Sequence, residues 1–476
     1  MKLRLGEFAD NLVRGIEDRA ARLSETLFEP VIRLGVTGLS RSGKTVFITS
    51  LVANLLDRGR MPQLLAAASG AIEAVYLRPQ PDDTVPRFDY ENHLAALTGA
   101  RPHWPKSTRA VSQLRLSIRV RPAGLLAGLS GPKTVHLDIV DYPGEWLLDL
   151  PLMSQSYEAW SATSLAEAGI AARAEVAADW RQAVADADAG ADYQESDAQK
   201  LARRFTLYLR AARAAGFSGC APGRFLLPGE LEGSPVLTFA PLVRPAVTPR
   251  RSLWREMERR YNAYKSQVVL PFFRDHFARI DRQIVLVDAL GAIHAGPAAV
   301  EDLRLAMSDV LRAFRPGSNG WLSFLGTRRV ERILFAATKA DHLHHRQHPQ
   351  LTAIMEALLR EASDRAEFAG AVTRAMSIAS LRATVEQVVE HQGQKLDCVR
   401  GVLEETGRPA ALFAGELPKD PKLLLNPARQ GAVAWLDQDY QIMRFLPAVL
   451  ELAPGEGPPH IRLDRAAEFL LGDRLT

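Results

Sequence analysis

The sequence VIRLGVTGLSRSGKTVFITSLVANLL, residues 31–56, places a glycine-bracketed turn between an apolar strand and an amphipathic helix. Residues 38–45 of this turn fit the pattern GxxxxGK[ST], in which backbone N–H groups and the positive end of a helix bind phosphate. Gly38 and Gly43 leave room for the backbone to approach such a ligand closely. Because a strand and a helix flank the pattern, we predict a phosphate-binding loop rather than a simple glycine turn.

The polar side chains of this loop have separate predicted tasks. The Lys44 ammonium is expected to reach the β and γ phosphates of a nucleotide, and the Thr45 hydroxyl to hold a magnesium ion. The residues predicted to contact the nucleotide here are Ser40, Arg41, Ser42, Gly43, Lys44, Thr45 and Val46.

Composition limits the class of protein. The 476 residues are 47% hydrophobic, enough for a large core in two or more units. The net charge of +4, from 59 basic and 55 acidic residues, gives no indication of a nucleic-acid partner. Cys220 and Cys398 are far apart, which favours reduced thiols and argues against a zinc site. With neither a membrane span nor a secretory signal in the sequence, we expect a cytoplasmic protein.

The chain divides into a nucleotide-binding domain and several additions. Residues 57–107 contain many prolines and are expected to be irregular, residues 157–216 to form two helices, and the segment after Thr384 to form a helix. The predicted fold class is α/β, with a doubly wound, mostly parallel sheet. The predicted segments are an amphipathic helix that packs on the domain (1–30), the first part of the nucleotide-binding domain (31–156), a helical insertion with a Pro/Gly-rich connector (157–250), the second part of the domain (251–400), and an extension packed on the core (401–476).

Two predicted strands end in an aspartate. Asp141 follows the strand 134–140 and begins the motif DxxG, which ends at Gly144. A carboxylate in this position can hold magnesium through water, and the glycine N–H can face the γ phosphate. Asp288 follows a second strand and competes for the magnesium role. We favour Asp141, because it carries the glycine three residues later.

A third strand ends in Thr338, Lys339 and, after one residue, Asp341, the pattern [NT]KxD. The Asp341 carboxylate can accept hydrogen bonds from the N1–H and the amine of guanine, and adenine offers no such pair of donors. The Lys339 stem is expected to lie over the base. After the next strand, a backbone N–H at Ala379 or Ser380 is expected to contact guanine O6.

Two further segments have competing interpretations. His342, His344 and His345 follow the base-reading motif, and we interpret them as a solvated loop because the sequence gives them no carboxylate or cysteine partner. Residues 316–326 form a loop with an apolar tip, which is expected to pack under neighbouring helices rather than to mark a contact surface.

The order of phosphate loop, DxxG and [NT]KxD resembles the arrangement of Ras-like GTPases. Together with the sequences LVDAL at 286–290 and ASLRAT at 379–384, nearly the whole chain resembles the YcjX family. The resemblance implies a Ras-like sheet with long helical insertions and a cytoplasmic P-loop nucleotidase connected with envelope stress. It also implies an inner-membrane protein as a partner, so the chain is expected in the cytoplasm or peripherally at the inner membrane.

The resemblance also assigns the switch residues. Thr108 is the candidate for the first-switch threonine, which would contact magnesium and take part in catalysis. Glu145 stands where Ras-like enzymes usually have a water-orienting glutamine, which predicts slow or differently organised hydrolysis. Arg101, Lys106 and Arg109 lie near the first switch and are candidates for an internal arginine or lysine finger. The sequence does not choose among them, and Arg101 is taken as the candidate catalytic residue.

These observations predict a GTPase that binds GTP or GDP with Mg²⁺ and acts as a molecular switch. One alternative is an ATPase, in which Asp341 does not touch the base. Another is a nucleotide-stabilised scaffold with little turnover, which the missing glutamine favours.

Overall fold

A computed structural model of the chain describes residues 29–38, 42–106, 110–121, 131–313, 330–368, 371–432, 434–435 and 440–475. Ser40, Arg41, Thr108 and Arg109 lie outside the described residues, as do residues 1–28 of the predicted N-terminal helix and the loop 316–326. The predictions for these residues therefore stay predictions.

Within the described residues, the strands form one seven-stranded and one three-stranded sheet. Their bounds are β1 (Val31–Gly38), β2 (Ile72–Arg78), β3 (Ser112–Val120), β4 (Lys133–Asp141), β5 (Arg282–Val287), β6 (Arg332–Ala337), β7 (Val372–Ser377), β8 (Val385–His391), β9 (Gln394–Val402) and β10 (Pro409–Leu412).

The large sheet has the order β2-β3-β4-β1-β5-β6-β7. Strand β1 pairs in parallel with β4 and β5, and β5, β6 and β7 continue in parallel, whereas β2 and β3 add antiparallel strands at one edge. Parallel strands present their carboxyl ends at one edge of the sheet, so the loops that follow β1, β4, β6 and β7 meet there. The predicted α/β class with a mostly parallel sheet is confirmed.

Helices cover both faces of this sheet. Alternate residues of β5 point to opposite sides, so Ile284 belongs to the core cluster that includes the helices at 44–56 and 463–471. Val285 belongs to the cluster that includes the helices at 253–264, 297–313 and 348–368. None of the described helices is long and apolar enough to cross a membrane. The helix bounds are α1 (Lys44–Leu56), α2 (Leu65–Ala68), α3 (Tyr90–Thr98), α4 (Tyr157–Ala168), α5 (Ala171–Asp186), α6 (Glu195–Ala214), α7 (Gly223–Leu226), α8 (Leu253–Tyr264), α9 (Leu270–Asp275), α10 (Ala289–Ala295), α11 (Pro297–Ala313), α12 (His348–Phe368), α13 (Lys422–Arg429) and α14 (Leu463–Leu471).

Three secondary-structure predictions were wrong. Residues 57–107 are not irregular throughout, because the stretch between its prolines holds β2, which joins the large sheet beside β3. The helical insertion has three long helices, α4, α5 and α6, since the chain also breaks at Gly169. The segment after Thr384 forms β8 and β9 instead of a helix. The first and third errors come from tertiary strand pairing that local propensity does not report, whereas the second overlooked a local helix end at Gly169.

Candidate functional site

A cavity of about 440 Å³ opens at the carboxyl edge of the parallel strands. It is bounded by the phosphate loop, the loops after β6 and β7, the segment after β4, the helix α6 and the loops before β3 and after β9. The residues that line it are Gly38, Ser42, Gly43, Lys44, Thr45, Val46, Trp104, Pro105, Pro143, Glu145, Arg213, Leu227, Thr338, Lys339, Asp341, His342, Ala379, Ser380, Leu381, Glu404, Arg444 and Phe445.

The phosphate loop depends on two glycines for its shape. Gly43 has φ 78° and ψ 27°, a left-handed conformation that favours glycine, and it immediately precedes the first turn of α1. A Cβ on Gly38 would collide with the Ser42 hydroxyl and would lie 2.9 Å from Leu286 Cβ. Gly38 and Ser42 therefore lie close together, and a Cβ on Gly43 would face open space.

Lys44 lies at the centre of the phosphate end of the cavity. Its Nζ donates to the Tyr142 carbonyl oxygen at 2.8 Å and lies 2.7 Å from Asp141 Oδ1. Asp141 is buried at the end of β4 beneath the cavity, and Thr45 lines the cavity from the first turn of α1. Asp141 is not among the described residues that line the cavity, but both the Thr45 hydroxyl and the Asp141 carboxylate belong to residues next to Lys44, by sequence and by ion pair respectively. Both are hard oxygen ligands, a donor set that fits magnesium.

The predicted base-reading residues line the other end of the cavity. Lys339 has the unusual φ of 61° and forms an ion pair with Asp288. Asp341 is buried, and its Oδ2 accepts a hydrogen bond from the Ala383 N–H at 2.9 Å. The left-handed turn at Lys339 directs the chain so that Thr338 and Asp341 both face the cavity.

Asp288, the competitor for the magnesium role, belongs to this base-reading end. Its Oδ1 accepts from the Gly291 N–H at 3.0 Å and caps α10, while its Oδ2 pairs with Lys339. The carboxylate beside Lys44 is that of Asp141. The assignment of magnesium to Asp141 remains a prediction, and the contacts of Asp288 account for its position without a metal.

The loop after β7 also reaches the cavity. Ala379, Ser380 and Leu381 line it, as expected for a segment near the base. The Ala379 N–H, however, donates to the Ile461 carbonyl at 3.0 Å, so this donor is already used within the protein. If this loop contacts guanine O6, the donor is therefore a backbone N–H other than that of Ala379.

An arginine that the sequence did not single out enters the cavity from the helical insertion. Arg213, in the last turn of α6, places Nη2 at 2.5 Å from Oε1 of Glu145, the residue after the DxxG motif. Arg101 and Lys106, two of the finger candidates, are exposed and are not among the described residues that line the cavity. Gly144 is buried behind Glu145 and likewise does not line the cavity.

One wall of the cavity comes from segments distant in sequence. The Trp104 indole donates to the Phe445 carbonyl at 2.7 Å, and the His342 ring lies 5.3 Å from the Phe445 ring, edge to face. Burial lowers the pKa of His342, which favours the neutral imidazole at pH 7. The sequence Trp-Pro at 104–105 indicated a distinctive segment in this wall, whereas no local sequence pattern indicated a role for Phe445 or Arg444.

Comparisons with known proteins agree with this architecture. The sequence profile of the YcjX-like family, DUF463, matches residues 32–475. A protein of Escherichia coli K12 named Ras-like GTPase YcjX is 37% identical over 465 residues, covering 93% of this chain and 96% of that protein. A protein of Shewanella oneidensis MR-1 with the same name is 34% identical over 470 residues, covering 93% of this chain and 94% of that protein. The family resemblance inferred from the motifs is confirmed, and the chain belongs to the YcjX-like family.

Proposed function

We propose that this chain binds GTP with magnesium, hydrolyses it to GDP and phosphate, and acts as a molecular switch. One observation carries the proposal: Lys44, from the phosphate loop, and Asp341, from the base-reading motif, line a single cavity. A nucleoside triphosphate needs partners for its phosphates and its base at the same time, and this cavity offers both. The printed names of the two relatives, both Ras-like GTPases, support the same class of substrate.

At the phosphate end, Lys44 supplies the positive charge that contacts the β and γ phosphates. Its ammonium group, now beside Asp141 and the Tyr142 carbonyl, has a flexible stem and can turn toward the cavity. Thr45 and Asp141 would hold magnesium, which when bound offsets the charge that develops on the phosphate oxygens. Thr108 keeps its predicted role as a further ligand.

At the base end, Asp341 selects guanine. The Ala383 N–H fixes the carboxylate through Oδ2, and each carboxylate oxygen has a further lone pair for the N1–H and the amine of guanine. Adenine would leave this buried carboxylate without those donors. A site built to hydrogen-bond a group rejects the analogue that lacks it strongly, so a large preference for GTP over ATP is expected.

Hydrolysis is proposed to be slow in the chain alone. Glu145 occupies the position expected for a water-orienting group, and its carboxylate is paired with Arg213. While the pair holds, the guanidinium is not aimed at the γ phosphate and the carboxylate is not available to orient water. Release of Arg213 from Glu145 is the step that would raise the rate.

The wider role follows from the family resemblance alone. It supports a cytoplasmic, stress-associated switch with an inner-membrane protein as partner. The scaffold alternative is favoured by one observation, the Glu145–Arg213 pair at the catalytic position, and the hydrolysis assay below separates it from the switch.

The test of the proposal is a nucleotide competition assay combined with a single-turnover assay. GTP is expected to displace a fluorescent guanine nucleotide far better than ATP, and Asp341→Asn to shift the preference toward xanthine nucleotides. Asp464→Asn is the matched control, because Asp464 is a buried carboxylate outside the cavity. Unchanged base preference in Asp341→Asn would contradict the assignment of the base.

Phosphate release in a single turnover, lost in Lys44→Ala, would rule out the scaffold. If wild-type and Lys44→Ala proteins release phosphate equally, the site is not where hydrolysis occurs. If neither protein releases phosphate, but the wild type prefers GTP over ATP and Asp341→Asn prefers xanthine nucleotides, the chain binds guanine nucleotides as a scaffold.

A further inference from the structure

Two histidines and a glutamate meet beside the base-reading loop. His344 and His345 lie three and four residues after Asp341, and Glu386 lies near the start of β8. One donor atom from each of the three side chains lies within 4.8 Å of the others. The interpretation of this turn as a solvated loop was wrong for His344, whose side chain is only 8% exposed, and the carboxylate partner that the sequence did not provide is Glu386.

The donor separations suit a tetrahedral ion. Glu386 Oε2 lies 2.8 Å from His345 Nδ1 and 3.6 Å from His344 Nε2. Ligands about 2.0–2.1 Å from a tetrahedral Zn²⁺ are separated by about 3.4 Å, a value between these two distances. The two histidine donor atoms lie within 4.8 Å of each other, so side-chain shifts on the order of an ångström would admit the ion. It would replace the His345 Nδ1 to Glu386 hydrogen bond, and the single proton of the neutral ring would move from Nδ1 to Nε2.

A second carboxylate stands behind the buried histidine. Asp397 Oδ2 lies 3.9 Å from His344 Nδ1, the ring nitrogen that does not face Glu386. This nitrogen accepts a long hydrogen bond, 3.5 Å, from the Arg346 backbone N–H. A metal-bound histidine characteristically donates its other N–H to a carboxylate, which fixes its tautomer and orientation. When Nε2 binds the ion, the ring proton lies on Nδ1, which then no longer accepts from Arg346, and Asp397 is the carboxylate beside it.

The pairing of β8 with β9 explains why both carboxylates are on one side. Asp397 pairs with Val388, two residues after Glu386, so Glu386 and Asp397 point to the same face of the small sheet. Cys398 points to the opposite face and is buried, which removes it as a ligand.

We propose that His344 Nε2, His345 Nδ1 and the Glu386 carboxylate form a Zn²⁺ site, with water as the fourth ligand. The set of two imidazoles and one carboxylate is one that zinc adopts with an open position. The ion joins the turn after Asp341 to β8. Since Ala383 and Thr384, which lead into β8, hydrogen-bond Asp341, the ion closes a short loop around the base-reading carboxylate.

Calorimetric titration of the full, tag-free chain, first treated with a chelator, tests the site with Zn²⁺ alone and no nucleotide. We expect one ion per chain with a Kd of about 1 μM or below. His345→Ala and Glu386→Gln are each expected to weaken binding about 10-fold or more, and Asp397→Asn by about 10-fold through its effect on His344. Co²⁺ at the same site is expected to give the visible absorption of a tetrahedral complex.

His391→Ala is the matched control, because His391 is an exposed histidine on the same strand outside the cluster. It is expected to bind Zn²⁺ like the wild type. His345 is 62% exposed, so its loss should not disturb folding, and circular dichroism in the presence of chelator checks this. The proposal is overturned by wild-type affinity in both His345→Ala and Glu386→Gln, or by the absence of binding near 1 μM in the wild type.

Discussion

Arg213 Nη2 lies 2.5 Å from Glu145 Oε1, and both residues line the same cavity as Lys44. The pair joins the last turn of α6, in the helical insertion, to the segment that directly follows the DxxG motif. A Cβ on Gly223 would collide with the Glu145 carbonyl, so the same segment is packed tightly against the insertion. The insertion is therefore in direct contact with the part of the site expected to respond to the γ phosphate.

Arg213→Ala is expected to lower the hydrolysis rate. An arginine that stabilises transition-state charge in phosphoryl transfer contributes a factor of about 10³ or more to the rate. Because Arg213 is paired with Glu145 part of the time, we expect its loss to lower kcat by a smaller factor, on the order of 100-fold. The affinity for GDP should change by less than about threefold, because the contribution belongs to the transition state.

Arg210→Ala is the control, since Arg210 is an exposed arginine on the same helix. Single-turnover phosphate release measures both variants. Equal rates in Arg213→Ala and the wild type would mean that Arg213 only holds Glu145.

Glu145→Gln is expected to raise the rate several-fold. The amide keeps the size of the side chain, releases the guanidinium from a full negative charge, and can orient an attacking water. The gain should disappear in the double variant Glu145→Gln/Arg213→Ala if it comes from the released arginine. A Glu145→Gln rate below that of the wild type would instead identify the carboxylate as a participant in hydrolysis.

The parts of the site that were predictable from sequence are those where a short motif follows a strand. Gly43, Lys44, Thr338 and Asp341 each lie in the loop or first helical turn that follows a buried strand, β1 or β6. Because parallel strands deliver their following loops to one edge, the order of motifs was enough to predict that these residues share a cavity.

Residues brought in by long-range packing were not predictable in this way. Arg213 is 68 residues from Glu145, and one more arginine on a charged helix has no local signature. Strand β8 has the sequence VEQVVEH, whose glutamates and glutamine favour a helix, and only pairing with β9 makes it a strand. Glu386 could be linked to His345 only once that pairing was known.

We predict that the buried carboxyl group of Asp149 makes the free energy of unfolding depend on pH. Its carboxyl group is buried in the segment after the DxxG motif and accepts hydrogen bonds from the Gly223 N–H at 2.7 Å and from the Tyr264 hydroxyl at 2.5 Å. Burial raises the pKa of this group from 3.8 to about 6. The folded state binds the proton more tightly than the unfolded chain. The stability from this group is therefore complete below pH 3.8 and is lost as the pH rises through 6.

Asp149→Asn removes this dependence. Relative to the wild type, the variant should gain about 1–2 kcal/mol in free energy of unfolding between pH 5 and pH 8. Urea unfolding of both proteins at the two pH values measures the difference, with the exposed Asp83→Asn as control. A difference between Asp149→Asn and the wild type that stays constant with pH would show that the carboxyl does not titrate in this range.

A buried ion pair between β3 and β4 allows a stability prediction independent of nucleotide. Arg115 and Asp138 face each other across the two strands, with Nε to Oδ1 at 2.6 Å and Nη2 to Oδ2 at 2.8 Å, and both are buried. Arg115→Met leaves the Asp138 carboxylate buried without its main partner and is expected to cost about 3–5 kcal/mol in free energy of unfolding.

The double variant Arg115→Met/Asp138→Leu should recover most of that loss, because it removes both charges from the apolar interior and fills a similar volume. Arg119, on the same strand, provides the matched control. Its Nε lies 3.2 Å from Glu73 Oε2, but its side chain is 54% exposed, so Arg119→Met should cost less than about 1 kcal/mol. Urea unfolding of the four proteins measures these differences. A double variant no more stable than Arg115→Met would mean that the pair stabilises the strands through its hydrogen bonds rather than by neutralising a buried charge.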